Sequence, residues 1–244
     1  VEVFWSNALM TPMESAEGIG AGLADIGAPF AHFRPSDFPV SNWVQIIGVE
    51  AQGGNPFGTM TATGAATEFF VTSKDVQAEF HNRGLQLLSG TGANAYDILC
   101  TSPIATLADS AGKRTRTGTT TLAREAAALG MVATPLDITE AFEALSRGII
   151  DCGNMTPTTY VSTGMIDVPR QLYWTPVEVT GLVLPGLAFN LDRWNGLPPV
   201  AQQIIQDAIG AQQQALMDGT MATVRKFGDL IRAGKIKAVQ PSAD

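Results

Sequence analysis

Residues 119–152 read TTTLAREAAALGMVATPLDITEAFEALSRGIIDC, and the fold class follows from this stretch. Thr119–Leu129 is an alanine-rich run of helix formers, stopped by Gly130. Met131–Thr134 then reads as a short strand. Asp137-Ile138-Thr139-Glu140 is a capping box, in which a carboxylate accepts from the first turn and a glutamate three residues on reaches back. Ile138, Ala141, Phe142 and Leu145 share one face of the helix it opens, and Arg147-Gly148 closes that helix. Ile149–Cys152 is a short apolar strand. Alternating strands and helices of this length predict an α/β protein with mostly parallel sheets.

Working outward, Tyr96–Thr101 and Leu85–Ser89 read as strands separated by a tight turn at Gly90-Thr91-Gly92. Ser73–Arg83 reads as a helix capped by Ser73. Gly53–Gly58 is a turn-rich break, Val44–Glu50 fits either strand or helix, and Phe30–Pro39 is loop. Pro12–Leu23 has helical character, and Gly22–Gly27 leads into a short strand. Val1–Trp5 reads as a strand already under way, and Pro241–Asp244 ends in capping residues with no helix after them, so both ends look cut. The longest helical pattern runs from Pro199 to about Ala233, with proline at its start, where a missing N–H costs nothing.

Composition excludes more than it selects. The chain has 244 residues, 45% hydrophobic and 16% charged, enough for one large domain or two lobes with separate cores. Apolar runs such as Val179–Phe189 are broken well short of the ~20 residues that span a bilayer. A net charge of −8 and the lack of any long basic cluster give no nucleic-acid footprint. The two histidines, His32 and His81, have no metal-ligand spacing around them. No nucleophile elbow, Walker loop or zinc pattern appears, so no catalytic residue, metal or cofactor is expected. Two cysteines, Cys100 and Cys152, read either as buried thiols or as a bridge.

One constellation carries chemistry. In Gly112-Lys113-Arg114-Thr115-Arg116-Thr117-Gly118 the two arginines are two apart and, on a strand, share a face. Arg116, at the strand end, can offer its planar fork to a carboxylate through two parallel charge-assisted bonds. The same residues also fit a solvated basic strand end.

A wider pattern surrounds this segment. Gly112-x-x-x-Arg116 precedes Leu129-Gly130, Pro135, Glu140 and Ala144-Leu145-x-Arg147-Gly148-x-Ile150-Asp151. Phe189-Asn190-Leu191-Asp192-Arg193-Trp194 then leads to Leu197-Pro198 and Gln203, and Glu14, Gly22, Asp25 and Phe38-Pro39 stand upstream. In this order the motifs resemble the solute-binding subunits of TRAP (tripartite ATP-independent periplasmic) transporters, over most of the chain. The resemblance implies a periplasmic-binding-protein-like fold of two α/β lobes, with a ligand cleft between them and a long helix serving both. Lobe one would comprise residues 1–94 and 182–222, and lobe two residues 95–181 and 223–244. The family's first strand–helix unit and final helix have no counterpart here.

The resemblance also implies a function. The chain would be a periplasmic protein, not an enzyme, that captures a small organic acid and passes it to integral-membrane permease subunits. Arg116 matches the family arginine that pairs with the ligand carboxylate. Asn154 lies just beyond the strand where relatives place polar contacts, although an asparagine there also suits a turn. Tyr96 stands near a position where some members carry a second arginine. Trp174, with Tyr173, would wall the pocket or fill core, and Asn190 would face the ligand or cap a helix. Cys100 and Cys152 match a pairing seen in one subgroup, which an oxidising periplasm permits. The competing readings are a receptor of an ABC transporter or sensor with the same form, and an α/β enzyme acting on organic acids.

Overall fold

The computed structural model describes residues 2–4, 8–47, 57–92, 96–179 and 183–242, except the side chains of 45–47, 57–60, 62, 178 and 179. In chain order these form α1 (Ser15–Gly20), β1 (Ile26–Gly27), α2 (Pro39–Ile47), α3 (Phe57–Thr72), α4 (Lys74–His81), β2 (Leu85–Leu87) and β3 (Gly90–Gly92). Next come β4 (Tyr96–Cys100), α5 (Leu107–Ser110), β5 (Arg114–Thr117), α6 (Thr120–Ala128), β6 (Val132–Pro135), α7 (Ala141–Ser146) and β7 (Cys152–Met155). The rest are α8 (Pro157–Ser162), β8 (Leu172–Val179), β9 (Val183–Pro185), β10 (Ala188–Asn190), α9 (Leu191–Asn195), α10 (Pro199–Arg232) and β11 (Ile236–Ala238).

The chain divides into two compact units. One holds the described residues of 1–53, 57–93 and 181–217, and the other those of 94–180 and 218–244.

The first unit has a three-stranded antiparallel sheet in the order β1-β10-β2 and an antiparallel pair, β3-β9. Its core gathers Ile19, Phe38, Phe70, Phe80, Leu85 and Leu87. Gly90-Thr91-Gly92 is a strand and not the expected turn. The glycine serves close approach instead: a Cβ on Gly90 would lie 2.5 Å from the carbonyl carbon of Ala66, so only glycine lets α3 lie on β3.

The second unit is built on a six-stranded sheet in the order β11-β8-β4-β7-β5-β6. The expectation of mostly parallel sheets is corrected here. β5 runs parallel to both β6 and β7, and β11 parallel to β8, but β4 is antiparallel to both β7 and β8. A helical crossover makes neighbouring strands parallel, and α6 and α7 supply crossovers for β5, β6 and β7. No such direct crossover joins β4 to its sheet neighbours: β5 and β6 intervene in the chain between β4 and β7.

Helix ends follow local chemistry. The Ser73 side chain accepts from Val76 N–H, Thr119 accepts from Leu122 N–H, and the Asp137 box closes on Glu140. The Asp137 box opens a single 3-10 turn, Ile138–Glu140, before α7 begins. Other boundaries move. The strand expected at Ile149–Cys152 is Cys152–Met155, because Cys100 pairs with Cys152 and Asp97 with Met155. Val44–Ile47 is helical, while residues 48–50 lie outside the described residues, as do 53–56 of the expected break; Phe57 and Gly58 already belong to α3. Glu2–Phe4 have no regular structure, and Val1 and Trp5 lie outside the described residues. α10 is a continuous helix of 34 residues, about 51 Å at 1.5 Å per residue.

Candidate functional site

The second unit's sheet sorts its residues by register. Ile98 pairs with Asn154 and Cys100 with Cys152, and Thr115 pairs with Cys152, so these side chains share one face. Leu99, Gly153 and Arg116 form a row on the opposite face, extended by Trp174 on β8. Helix α6 covers the first face through Ala126, beside Ile98, Cys100 and Cys152. The second face packs Leu99, Met155 and Tyr160 against Phe227 of α10.

The strands' directions bring the candidate residues to one end. β5, β6 and β7 are parallel and finish at Thr117, Pro135 and Met155, and antiparallel β4 starts there with Tyr96. Tyr96, Arg116 and Asn154 therefore lie at the carboxyl ends of the parallel strands, the customary ligand side of an open α/β sheet.

Arg116 is buried, with 5% of its surface exposed. Its Nε donates to the Leu136 carbonyl at 3.0 Å, which fixes the plane of the fork. The guanidinium lies over Gly118, where a Cβ would sit 2.6 Å from Nη2 and 2.8 Å from Nη1. Among the described residues none of the ion pairs includes Arg116. Burial lowers its pKa, while the fields of Tyr96, Asp137 and Tyr160 act the other way. The group stays cationic at any working pH. Arg114, by contrast, is exposed and paired with Asp151 at 2.9 Å.

Asn154 is buried, and its Nδ2 donates to Glu125 Oε1 at 3.2 Å. Its Oδ1 and Glu125 Oε2 are both buried without a hydrogen-bond partner. Desolvation raises the Glu125 pKa to about 7, and the Asn154 bond opposes the rise. Tyr96 is partly buried; desolvation raises its pKa, Arg116 lowers it and Glu125 adds to the rise. The phenol thus lies in the field of both groups.

Two further candidates have internal partners. Trp174 packs edge-to-face on Phe227 at 5.7 Å in the second unit's core, its Nε1 buried without an acceptor. Tyr173 lies under Lys237 Nζ at 5.7 Å. Asn190 belongs to the first unit and caps α9: its side chain accepts from Arg193 N–H and donates to the carbonyls of Ile19 and Gly20. Cys100 and Cys152 are joined by a disulfide, with Cα atoms 4.0 Å apart.

The sequence reading passed over Glu125, yet it carried a signal. Leu122, Glu125, Ala126 and Leu129 follow one helical stripe, so a carboxylate stands on an apolar face. Tyr160 was also missed. Its hydroxyl lies 2.7 Å from the carbonyls of both Asp97 and Gly153, which share its single proton, and it accepts from Met155 N–H at 3.1 Å. It ties β4 to β7 beside Arg116.

Comparison with known proteins decides the family. The sequence profile of bacterial extracellular solute-binding protein family 7 matches residues 1–243. This chain belongs to that family. The ectoine-binding periplasmic protein TeaA of Halomonas elongata is 31% identical to this family 7 chain over 162 residues, 64% of this chain and 46% of TeaA. The match thus spans about half the length of that relative. An extracytoplasmic solute receptor of Bordetella pertussis, solved binding pyroglutamic acid, superposes with a TM-score of 0.78 at 20% identity, covering 97% of this chain and 75% of its own. A TRAP periplasmic solute-binding protein of Pseudomonas aeruginosa, solved with L-malate, gives 0.76 at 18% identity, covering 100% and 82%. Family 7 is a family of solute-binding proteins rather than enzymes, and the two-lobed α/β fold is shared with these receptors.

Proposed function

We propose that this family 7 chain is the solute-capturing receptor of a TRAP transporter, and that Arg116 holds the carboxylate of a small organic acid. The observation that carries the reading is a buried arginine that forms no ion pair among the described residues, acted on by Asp137 only through its field, anchored by Leu136 and lying at the ligand side of its sheet. An unpaired buried charge costs several kcal/mol. A ligand carboxylate supplies the missing counter-charge, and low surrounding polarity strengthens the pair. Tyr96 and Asn154 stand at the same strand ends and complete the polar surface, whereas Trp174 and Asn190 serve packing and capping.

Relatives support the class of ligand, since receptors of this fold were solved with pyroglutamic acid and L-malate. The receptor would work in the periplasm and deliver its cargo to integral-membrane permease subunits, without chemical turnover. Titration calorimetry against small carboxylates and their amides tests the clamp. The acids are expected to bind and the amides not to. Arg116→Ala is expected to weaken binding at least about a hundredfold, within the ~3–5 kcal/mol lost when a buried pair is broken. An unchanged affinity in Arg116→Ala sinks the assignment.

A further inference from the structure

Glu125 and Asn154 pose a different problem from Arg116, because what they lack is a donor. The Asn154 amide N–H points at Glu125 Oε1, which turns Asn154 Oδ1 the other way. That leaves Oδ1 and Glu125 Oε2 as two buried acceptors on one hydrogen-bonded pair, neither with a partner. Buried acceptors without donors are costly and uncommon. Asn154 is 1% exposed and held on β7, so its orientation is fixed by the sheet. Glu125 is carried on α6, which packs across β4 and β7 through Ala126. The titratable group that acts on the pair is Tyr96 on β4, which lies in the field of both Glu125 and Arg116. Among the described residues none of the ion pairs joins Arg116 to Glu125, and register puts Arg116 and Asn154 on opposite faces, so cation and acceptors are separate features of one sheet end.

We infer that the captured acid also carries an N–H group, and that Glu125 Oε2 and Asn154 Oδ1 are the acceptors that receive it. The inference rests on the proposed carboxylate clamp and narrows its ligand: an amino, imino or lactam acid rather than a simple carboxylic or hydroxy-free keto acid. A ring or chain oxygen in place of the N–H would set lone pairs against lone pairs, and a site built around a polar contact rejects such an isostere strongly. Glu125 sharpens the choice further, since a carboxylate favours a cationic ammonium over a neutral amide N–H. Burial raises the pKa of its carboxyl, and a cationic ligand nitrogen beside it would favour the ionised, accepting form.

Calorimetry of the full chain with two matched pairs tests this. One pair is 5-oxopyrrolidine-2-carboxylate and 5-oxotetrahydrofuran-2-carboxylate; the other is pyrrolidine-2-carboxylate and tetrahydrofuran-2-carboxylate. Within each pair only an N–H and an oxygen differ. At least one N–H acid is expected to bind at least tenfold more tightly than its oxygen partner. Glu125→Met is expected to shrink that ratio below threefold without weakening the oxygen acid. Glu125→Gln, the milder change, retains an acceptor and is expected to lose selectively the preference for the ammonium acid. Arg116→Ala should weaken both members of a pair alike and leave the ratio unchanged, so failure of the clamp and failure of the acceptors are distinguishable. Equal binding of both members in the wild type, the sign that a buried water satisfies the acceptors, overturns the inference. So does the absence of binding by either N–H acid at millimolar concentration.

Discussion

At the scale of single residues, the candidate site depends on groups whose partners are not supplied by the fold. Gly118 is one device that keeps Arg116 where it is: the guanidinium occupies the space of the missing side chain, with a would-be Cβ 2.9 Å from Cζ. A methyl group there must displace the fork, which is the far end of a flexible chain and moves at little cost to folding. Gly118→Ala is therefore expected to weaken carboxylate binding at least tenfold while melting within about 2 °C of the wild type, less than ~1 kcal/mol at this chain length. Calorimetry and a thermal melt on the same sample check both halves. Glu125 gives a pH signature. Its folded pKa, about 7, stands above the ordinary 4.5, so the native state holds its proton more tightly than the unfolded state does. The stability it withholds is absent below pH 4.5, grows as the pH rises, and is complete above about 7, at up to ~3 kcal/mol. Glu125→Gln is expected to stabilise the protein by ~1–3 kcal/mol at pH 8 and by little at pH 4. Urea melts at the two pH values decide it; equal effects would mean that the carboxyl is not desolvated.

At the scale of elements, strand register is what turns scattered residues into a site. Pairing of Arg116 with Gly153 and of Asn154 with Ile98 sends the two candidates to opposite faces of the sheet at one end. Gly153 is small for a reason: a Cβ there would meet Met165 Cε at 2.9 Å and Tyr160 Cε1 at 3.0 Å, so glycine lets the Tyr160 ring lie against β7. The disulfide binds β4 and β7 directly, across a separation of 52 residues. A loop of that length removes unfolded-state entropy worth about 4 kcal/mol in the chain-entropy account. Reduction is expected to lower the melting temperature by roughly 8–16 °C. Scanning calorimetry with and without reductant measures it, and an unchanged Tm would show that the bridge adds nothing the sheet does not already supply.

At the scale of the whole chain, two compact units share one polypeptide, and α10 contributes to both cores, through Ile209 in the first and Phe227 in the second. Helix α10 was legible from end to end because proline marks its start and its apolar residues recur at helical spacing. The caps at Ser73, Thr119 and Asp137 were equally legible, since a cap is a bond between residues two or three apart. Helix α3 was not: FGTMTATGAATEFFVT spreads apolar and β-branched residues around every side, and Thr63, Ala66 and Phe70 are seen as a buried stripe only once β3 lies beneath them. Arg116 could be named from its motif, but not its burial, its lack of an ion pair among the described residues or its seat over Gly118. Glu125 lay on an apolar stripe in plain view, and its meaning required Asn154, 29 residues away. The sequence by itself determined what depends on neighbours along the chain: helix caps, the long α10, the alternating class and the family. Strand direction, register and the unpartnered state of buried groups were decided only in three dimensions, because hydrogen-bond partners across a sheet and the water excluded above it are set by residues far apart in the chain.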